Sequence, residues 1–190
     1  ILHMTSSSIP FKTHFKPGGT MILAQDDISG RVIKQLSDPL GRWTYLQLAG
    51  RNGRIVNFVT AYQVCPRPTN RSGTTAFHQQ ESLLRQQGRT DINPRRNFRK
   101  DLTNFLKPMK SRKEHIILAG DFNEPLDAGN SNMSKLCQDL GLTDVFALRH
   151  PHLPEPATYI RGSTRLDYFL VSASVLPAVT KCGYDPFNLR

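Results

Sequence analysis

The chain of 190 residues is long enough to bury one sizeable hydrophobic core and too short to favour two domains. Hydrophobic residues make up 38% and charged residues 21%, with the apolar residues in periodic blocks, which excludes an intrinsically disordered chain. Because 25 Lys and Arg residues face 15 Asp and Glu residues, the formal net charge of +10 favours a polyanionic partner such as nucleic acid, although basic surfaces also serve plain solubility.

The cysteines and the hydropathy pattern limit the compartment. Cys65, Cys137 and Cys182 are odd in number, far apart and without the spacing of zinc ligands, so we predict no disulfides and a reducing environment. No apolar run approaches the roughly 20 residues that a membrane helix requires, and the first residues lack the layout of a signal peptide. We therefore expect an intracellular protein, nuclear or cytoplasmic, without membrane association.

Strands dominate the first third of the chain. Residues 1–17 mix Ser, Pro, Lys and His without a period, which predicts an irregular lead-in before a single domain over residues 18–190. Four stretches rich in β-branched and aromatic residues then alternate with turn segments and predict an antiparallel meander. These stretches are residues 21–25, 31–36, 42–48 and 53–62.

Helices and further strands alternate in the remainder. Apolar residues at helical spacing predict one helix over residues 74–88 and another over residues 131–141. Between them, Asn93 as N-cap and Pro94 at the first helical position predict a helix that Pro108 stops. Strands are predicted at residues 115–120, as a run covered on both faces, at 164–172 and at 179–184. This order indicates an α/β protein, a layered sandwich of mixed, largely antiparallel sheets flanked by helices.

Polar residues follow the apolar run HIILAG, which is residues 115–120. Gly120 allows a sharp turn there, and Asp121 and Asn123, two apart on extended chain, then point the same way into a cleft. A carboxylate in that position suits a general base acting on water, and the amide NH2 suits a phosphate oxygen, with a cation sharing the site. Taken alone, an Asp-x-Asn pattern equally fits an Asx-turn that only satisfies backbone groups.

Four short motifs place this pattern in a wider context. They are TAYQ at residues 60–63, GDFN at 120–123, TY at 158–159 and RLDYFLVS at 165–172. In this order they resemble the endonuclease/exonuclease/phosphatase superfamily, which includes pancreatic deoxyribonuclease, the apurinic/apyrimidinic endonucleases and the endonucleases of non-LTR retrotransposons. The resemblance runs from PGGTMIL to RLDYFLVS and is greatest for endonucleases related to retroelements. It implies phosphodiester hydrolysis in nucleic acid, with DNA favoured, and a Mg²⁺ or Mn²⁺ cofactor.

The resemblance also implies roles for four catalytic residues. Asp121 matches the residue that orients or deprotonates the attacking water, and Asn123 matches its phosphate-binding neighbour. Tyr62 matches the tyrosine that contacts the scissile phosphate, although a strand-end tyrosine otherwise packs as an aromatic with a wet hydroxyl. Asp167 matches the carboxylate that holds a catalytic histidine in the right tautomer. The alternative for Asp167 is a surface carboxylate paired with Arg165.

The implied substrate-binding residues are Asn123, Thr158 and Arg165. For Thr158 the alternative to shaping the site is simple packing. The stretch of residues 85–113 holds ten of the 25 basic residues and either tracks a phosphate backbone or forms a solvated helix face. The histidines at 78, 150 and 152 are expected at the surface, since a lone His-x-His is weak evidence for a metal.

Parts of the family pattern are missing from this sequence. The metal-binding glutamate belongs upstream of PGGT, where no counterpart is found, so the metal ligands are unknown apart from Asp121 as a candidate. The terminal Asp-His pair is also missing, and no histidine follows Asp167. We therefore expect an incomplete copy of the domain, truncated at both ends. The alternatives are a phosphatase acting on a small or lipid phosphoester and a non-catalytic fragment that binds nucleic acid.

Overall fold

The computed structural model describes residues 3–7, 18–68, 75–126 and 131–185, which form two β-sheets and a layer of helices. The strands are β1 (His3–Ser7), β2 (Thr20–Ala24), β3 (Val32–Ser37), β4 (Trp43–Ala49), β5 (Ile55–Tyr62), β6 (His115–Asp121), β7 (Leu142–Asp144) and β8 (Asp167–Ser172). The helices are α1 (Asp26–Ser29), α2 (Ala76–Gln86), α3 (Pro94–Ser111), α4 (Asn132–Leu140) and α5 (Val145–Arg149), with short 3₁₀ turns at Arg51–Gly53 and Leu176–Ala178.

The larger sheet has six strands in the order β3-β4-β5-β6-β8-β7. Its neighbours pair antiparallel except β5 and β6, which are parallel and joined by a connection that contains α2 and α3. A parallel pair needs such a crossover, since a tight hairpin joins antiparallel strands alone. The predicted fold class, a mixed and largely antiparallel sheet flanked by helices, is confirmed.

The main core lies between this sheet and helices α3 and α4. Alternate residues of each strand face the helices, as the two-residue period of a strand requires. The buried members of this core include Tyr45, Val59, Ala61, Phe98, Leu102, Leu106, Ile116, Leu118, Met133, Leu136 and Leu170. This layer fixes the strands whose ends carry the candidate site.

The smaller sheet consists of β1 and β2, which pair antiparallel and lie against the other face of the larger sheet. Ile22 and Ala24 of β2 pack there against Leu46 and Phe58. The predicted four-strand meander is therefore wrong in its first member, because β2 pairs with β1 and the meander begins at β3. The expected irregular lead-in is wrong for residues 3–7, which form β1, and residues 8–17 lie outside the described ranges.

The three predicted helices are confirmed, with one wrong end. Asn93 caps α3 by accepting hydrogen bonds from the N–H groups of Arg95 and Arg96. The helix does not stop at Pro108 but continues to Ser111. Proline keeps a helical φ, but it lacks its own N–H and its ring crowds the carbonyl four residues earlier, which usually kinks or ends a helix. The last turn is retained because Met109, which is 6% exposed, packs into the core.

The predicted final strand over residues 179–184 is wrong. This segment is irregular and side chains hold it in place: Arg149 donates to the Val179 carbonyl, and the Tyr184 hydroxyl donates to the Asp167 carbonyl over 2.7 Å. The strand predicted at residues 115–120 is β6, but only one of its faces is fully buried. Among the described helices none is long and apolar enough to cross a membrane, and all three cysteines are free thiols.

Candidate functional site

Three of the predicted site residues lie next to each other at the same end of three neighbouring strands in the larger sheet. Tyr62 ends β5 and is the register partner of Asp121, which ends the parallel strand β6. Asp167 begins the antiparallel strand β8 and lies directly opposite Asp121. Directly opposed residues of neighbouring strands project to the same face of a sheet. The topology therefore brings together Tyr62, Asp121 and Asp167, although Tyr62 and Asp167 are more than 100 positions apart in the sequence. We call these three residues the Asp121 row.

Gly120 is required where β6 reaches this edge. Its φ is +153°, and a Cβ at this position would lie 1.8 Å from the carbonyl oxygen of Ala61 on β5. The close approach of two backbones excludes every other residue type without a shift of the strands. The glycine of GDFN thus sets the spacing of the two strands that carry Tyr62 and Asp121.

Asp121 and Asn123 meet each other directly. The backbone N–H of Asn123 donates to Asp121 Oδ1, and its side-chain Nδ2 donates to Asp121 Oδ2, each over 3.0 Å. The same Nδ2 donates to the carbonyl of Gln63 over 2.9 Å. Asn123 takes the left-handed conformation, with φ +47°, which asparagine tolerates better than most residues. The loop is therefore an Asx-type turn, and the predicted extended chain from Asp121 to Asn123 is wrong because β6 ends at Asp121. The turn still pairs the carboxylate with the side-chain amide.

The side-chain amide of Asn123 has a defined orientation. Nδ2 faces two acceptors, Asp121 and the Gln63 carbonyl, while Oδ1 accepts from the Sγ–H of Cys65 over 3.1 Å. The opposite orientation would place an oxygen against two oxygens. A phosphate oxygen that binds this amide must therefore replace one of the two existing acceptors of Nδ2.

The carboxyl group of Asp121 is perturbed towards its protonated form. Burial raises the pKa of Asp121, and the nearby charge of Asp167 adds to the increase. The hydrogen bonds from Asn123 and the charge of Arg95 act in the opposite direction without cancelling the effect. A carboxylate that is partly desolvated and repelled by a neighbour accepts a proton more readily than a free one. This is the property that a general base needs.

Tyr62 is half-buried beside a glycine that the sequence analysis did not select. Gly18 has φ +78°, and a Cβ there would lie 2.5 Å from the Tyr62 ring, so PGGT places backbone against this tyrosine. Burial raises the pKa of Tyr62 to about 12, with contributions from Cys65 and Asp121. The phenol is therefore protonated at neutral pH and can act as a hydrogen-bond donor.

Asp167 and Thr158 are linked. The Thr158 hydroxyl oxygen accepts from the backbone N–H of Leu166 over 2.9 Å and from that of Asp167 over 3.2 Å. The Tyr184 hydroxyl donates to the Asp167 carbonyl on the other side. Thr158 thus fixes the start of β8 through its bonds to the backbone of Leu166 and Asp167, which is a shaping role.

Arg165 occupies a different position from the one that the resemblance implies. Its side chain is 1% exposed, donates to Asp144 and Glu155, and stacks over the rings of Phe146 and Tyr168. It does not pair with Asp167, which was the alternative for that carboxylate. The guanidinium of Arg165 is therefore buried against two carboxylate partners, Asp144 and Glu155, and not against the carboxylates of Asp121 and Asp167.

None of the four histidines whose side chains the structure describes pairs with Asp167. His78 bonds to Thr75, His115 to Ser174, and the His150 Nε2 lies 2.8 Å from the Cys182 carbonyl. His152 is in an exposed turn. The structure thus places all four away from the Asp121 row.

The ends of β6 and β8 provide some of the ligands that a divalent cation needs. Within the described ranges no cluster of three or more His, Cys, Asp or Glu side chains has the geometry of a metal site. Asp121 and Asp167 nevertheless place two carboxylates on one face, and their mutual repulsion is relieved by positive charge. Mg²⁺ binds proteins through one or two carboxylates and keeps waters or substrate phosphates as its other ligands. The two residues fit that mode of binding and not a closed protein cage.

Four residues that the sequence analysis did not select as site residues take part in the contacts of the loop of residues 121–124. Cys65, Gln63, Arg95 and Glu124 all bond to the segment of residues 121–124 or to each other. Gln63 is the last residue of TAYQ and Glu124 directly follows GDFN, so motif position was a usable signal for both. Arg95 has no such signal, because it lies on a helix 28 positions before Asn123.

A cavity lies beside the loop of residues 121–124. Its volume is about 650 Å³ and it lies where α2, α3 and the segment after β5 meet. Three arginines from two of these elements line it, together with apolar side chains and two carboxylates. The lining residues are Pro66, Arg67, Phe77, Glu81, Thr90, Asp91, Ile92, Asn93, Arg95 and Arg96. Arg95 lines the cavity and also bonds to the loop of residues 121–124.

Comparisons with known proteins match this architecture. A sequence model of the endonuclease/exonuclease/phosphatase family matches residues 3–187. Among solved structures, the human nocturnin catalytic domain with a bound sulfate superposes with a TM-score of 0.56 at 14% identity. The Neisseria 3′ phosphatase NExo, bound to a product DNA hairpin, gives 0.56 at 18% identity. The endonuclease domain of TRAS1, a telomere-specific non-LTR retrotransposon, gives 0.51 at 13% identity.

The chain corresponds to part of each of these structures. The superposition with nocturnin covers 90% of this chain and 61% of that one. The corresponding shares are 93% and 68% for NExo and 92% and 69% for TRAS1. A search of curated protein sequences finds no match.

Proposed function

The chain belongs to the endonuclease/exonuclease/phosphatase family, and from that membership we propose that it hydrolyses phosphodiester bonds in nucleic acid, with DNA as the preferred substrate. The observation that carries this proposal is the row of Tyr62, Asp121 and Asp167 at three adjacent strand ends, with Asn123 bonded to Asp121. Family membership alone supports nuclease or phosphodiesterase chemistry, and the row supports our proposal that these side chains perform it.

Asp121, Asn123 and Tyr62 each act directly on the water or the phosphate in the proposed reaction. Asp121, whose pKa burial raises, accepts the proton of the attacking water. Asn123 donates its side-chain N–H to a phosphate oxygen after releasing one of its present acceptors. Tyr62, protonated at neutral pH, donates its hydroxyl hydrogen to another phosphate oxygen. These donors stabilise negative charge that develops on the phosphate in the transition state.

Asp167 has a supporting electrostatic task. It raises the basicity of Asp121 across the strand pair and shares with it the place for a cation. We propose Mg²⁺ or Mn²⁺ as that cation, held by Asp121 and Asp167. When bound, such an ion acts as a Lewis acid that polarises the phosphoryl group.

Several features support nucleic acid as the substrate. The formal net charge is +10, and Arg67 and Arg96 line the cavity beside the loop of residues 121–124, 66% and 65% exposed, where they pair with Glu81 and Asp91. A backbone phosphate would replace or share these carboxylate partners. Exposed guanidinium groups bind backbone phosphates and release counterions. The structure of NExo contains product DNA, and TRAS1 is a retrotransposon, so we further propose an endonuclease related to those of retroelements.

A second candidate function is binding of nucleic acid without cleavage. Two observations favour it: within the described residues Asp167 has no histidine partner, and the same part of the chain holds no cluster of three or more potential metal ligands. The family resemblance implies a histidine partner for Asp167 and a metal-binding glutamate. Loss of such electrostatic partners typically costs roughly a hundred- to a thousandfold in rate.

Plasmid nicking separates the two functions. Supercoiled DNA is incubated with the folded protein in Mg²⁺ or Mn²⁺ and in EDTA, and binding to a short duplex is measured in EDTA in parallel. Nicking that requires the metal supports the hydrolase. Salt-sensitive binding without nicking supports the second function. Hydrolysis of a small phosphate monoester without any action on DNA would instead assign the site to small phosphoesters.

A further inference from the structure

The ends of β5 and β6 are tied to two helices by a buried polar network. Its centre is the ion pair between Arg95 of α3 and Glu124, with a distance of 2.9 Å between Nη2 and Oε2. The two side chains are 13% and 12% exposed. An ion pair that is this well buried is held in place by further hydrogen bonds, because an unsatisfied buried charge is costly. The further hydrogen bonds of Arg95 and Glu124 join them to the loop of residues 121–124, to residues 63–64 after β5 and to Asn132 at the start of α4.

Arg95 bonds to backbone on both sides of the site. One guanidinium nitrogen donates to the Val64 carbonyl over 2.6 Å, two residues after Tyr62. The other donates to the Asn123 carbonyl over 3.1 Å and to Glu124. Only a planar guanidinium presents donors in a fork that serves three such acceptors together. The exit of β5 and the exit of β6 are therefore held at a fixed separation by one side chain.

Glu124 completes the network with its two oxygens. Oε2 accepts from Arg95 and from the side-chain Nε2 of Gln63 over 2.9 Å. Oε1 accepts from the backbone N–H of Asn132 at the start of α4 over 2.7 Å. Gln63, which is 0% exposed, also donates to the Phe122 carbonyl over 2.6 Å. Apart from the bond to the Val64 carbonyl, the donors of this group point to the Glu124 carboxylate or to a carbonyl of the loop of residues 121–124.

The loop needs such support because its conformation is not the preferred one. Asn123 has a left-handed backbone with φ +47°, a conformation that costs free energy and persists where its surroundings enforce it. The bonds from Arg95 to the Asn123 carbonyl and from Gln63 to the Phe122 carbonyl bracket that residue. We infer that Arg95 and Glu124 are positioning residues, which hold Asn123 and Asp121 in the geometry that the reaction uses without touching the substrate phosphate themselves.

The catalytic part of this inference rests on the proposed function, whereas its structural part does not. The structural part is tested by hydrogen exchange of single backbone amides, followed by NMR. The Asn123 N–H, which bonds to Asp121, reports on the loop, and the Leu118 N–H in the middle of β6 reports on global stability. The variants are Arg95→Met and Glu124→Gln. The control is Arg99→Met, which removes an arginine of the same helix that pairs with Asp139, away from the loop.

We expect both variants to accelerate Asn123 exchange roughly tenfold or more, with Leu118 unchanged, and Arg99→Met to change neither amide. Glu124→Gln is informative even where Arg95→Met fails to fold, because it keeps the side-chain shape and replaces one acceptor oxygen by a donor. Equal acceleration at Leu118, no acceleration at Asn123, or the same effect in Arg99→Met would each overturn the inference.

Cleavage kinetics test the catalytic part. In Arg95→Met and Glu124→Gln, kcat should fall roughly 10- to 100-fold with little change in KM, the size of effect expected for residues that orient catalytic groups. A loss confined to KM would contradict a positioning role. If the wild-type protein cleaves nothing, the proposed function fails while the exchange result still decides whether Arg95 and Glu124 hold the loop.

Discussion

Asp121 and Asp167 lie directly opposite each other across the antiparallel β6–β8 pair, at the edge where both strands meet the candidate site. Two carboxylates on one face resist simultaneous ionisation, and a cation or a proton relieves the repulsion. The raised pKa of Asp121, due first to burial and then to Asp167, is the expected sign of this arrangement. A cation bound to the pair would lower the pKa of Asp121 again, so the raised pKa describes the pair without its cation.

The first prediction concerns this electrostatic coupling. Asp167→Asn removes the neighbouring charge, so the pKa of Asp121 should fall towards its ordinary value while burial keeps part of the increase. Because the base must be ionised, the acid limb of the pH–rate profile should then move to lower pH. NMR titration of the Asp121 carboxyl group measures the shift directly. Asp139→Asn, at an exposed carboxylate on α4, is the control, and an unchanged or higher pKa of Asp121 in Asp167→Asn would contradict the coupling.

The second prediction concerns the spacing of β5 and β6. Gly120→Ala introduces a Cβ that would overlap the Ala61 carbonyl, so the free energy of unfolding should fall by roughly 3 kcal/mol or more. Gly88→Ala is the matched control. It also lies at positive φ, +69°, but its Cβ would meet nothing within 4 Å, so only conformational strain of about 1 kcal/mol is expected. Urea denaturation of both variants measures the difference, and equal losses would mean that the backbone approach is unimportant.

The third prediction assigns Arg165 to the fold. Arg165→Met leaves Asp144 and Glu155 without their shared partner, although Glu155 is 40% exposed and recovers some hydration. We expect a loss of roughly 3 kcal/mol in the free energy of unfolding. At temperatures where the variant remains folded, its KM for DNA should equal that of the wild-type protein. A stable variant with a raised KM would restore the substrate-binding role that the family resemblance implies.

The fourth prediction concerns the basic rim of the cavity. If Arg96 contacts one backbone phosphate, Arg96→Met should reduce the slope of log K against log salt by about 0.9 for duplex DNA. Binding in EDTA by fluorescence anisotropy over a range of salt concentrations provides the slope. Arg99→Met, whose guanidinium pairs with Asp139 away from the cavity, should leave the slope unchanged. Equal slopes for the wild type and Arg96→Met would remove this residue from the nucleic-acid interface.

Local signals were sufficient for the helices and for the central strands. Asn93, Pro94 and Gly141 act through backbone geometry within one turn, and the structure uses each as predicted, with Gly141 in the left-handed C-cap. Pro108 was misjudged because its effect depends on the buried Met109 that follows it. Strand β1 was missed because its pairing with β2 is a long-range choice that composition does not encode.

The candidate site shows the same division. The Asp121–Asn123 contact is local, so the motif GDFN was enough to predict it. The opposition of Asp121 and Asp167 follows from the order of the strands in the sheet, which hydrophobic periodicity does not encode, so it was not predicted. Arg95 was not predicted at all, because its bonds to Val64 and Asn123 depend on how α3 packs against the sheet.

The most direct test of the central claim is single-turnover cleavage of an end-labelled DNA duplex in Mg²⁺ by the wild-type protein, Asp121→Asn and Asp139→Asn. Circular dichroism first establishes that all three proteins are folded. If Asp121 is the general base, Asp121→Asn should lower the rate at least about a hundredfold, the lower limit of the range for general-base catalysis, while Asp139→Asn cleaves like the wild type. Cleavage by Asp121→Asn at the wild-type rate would contradict the assignment of the site.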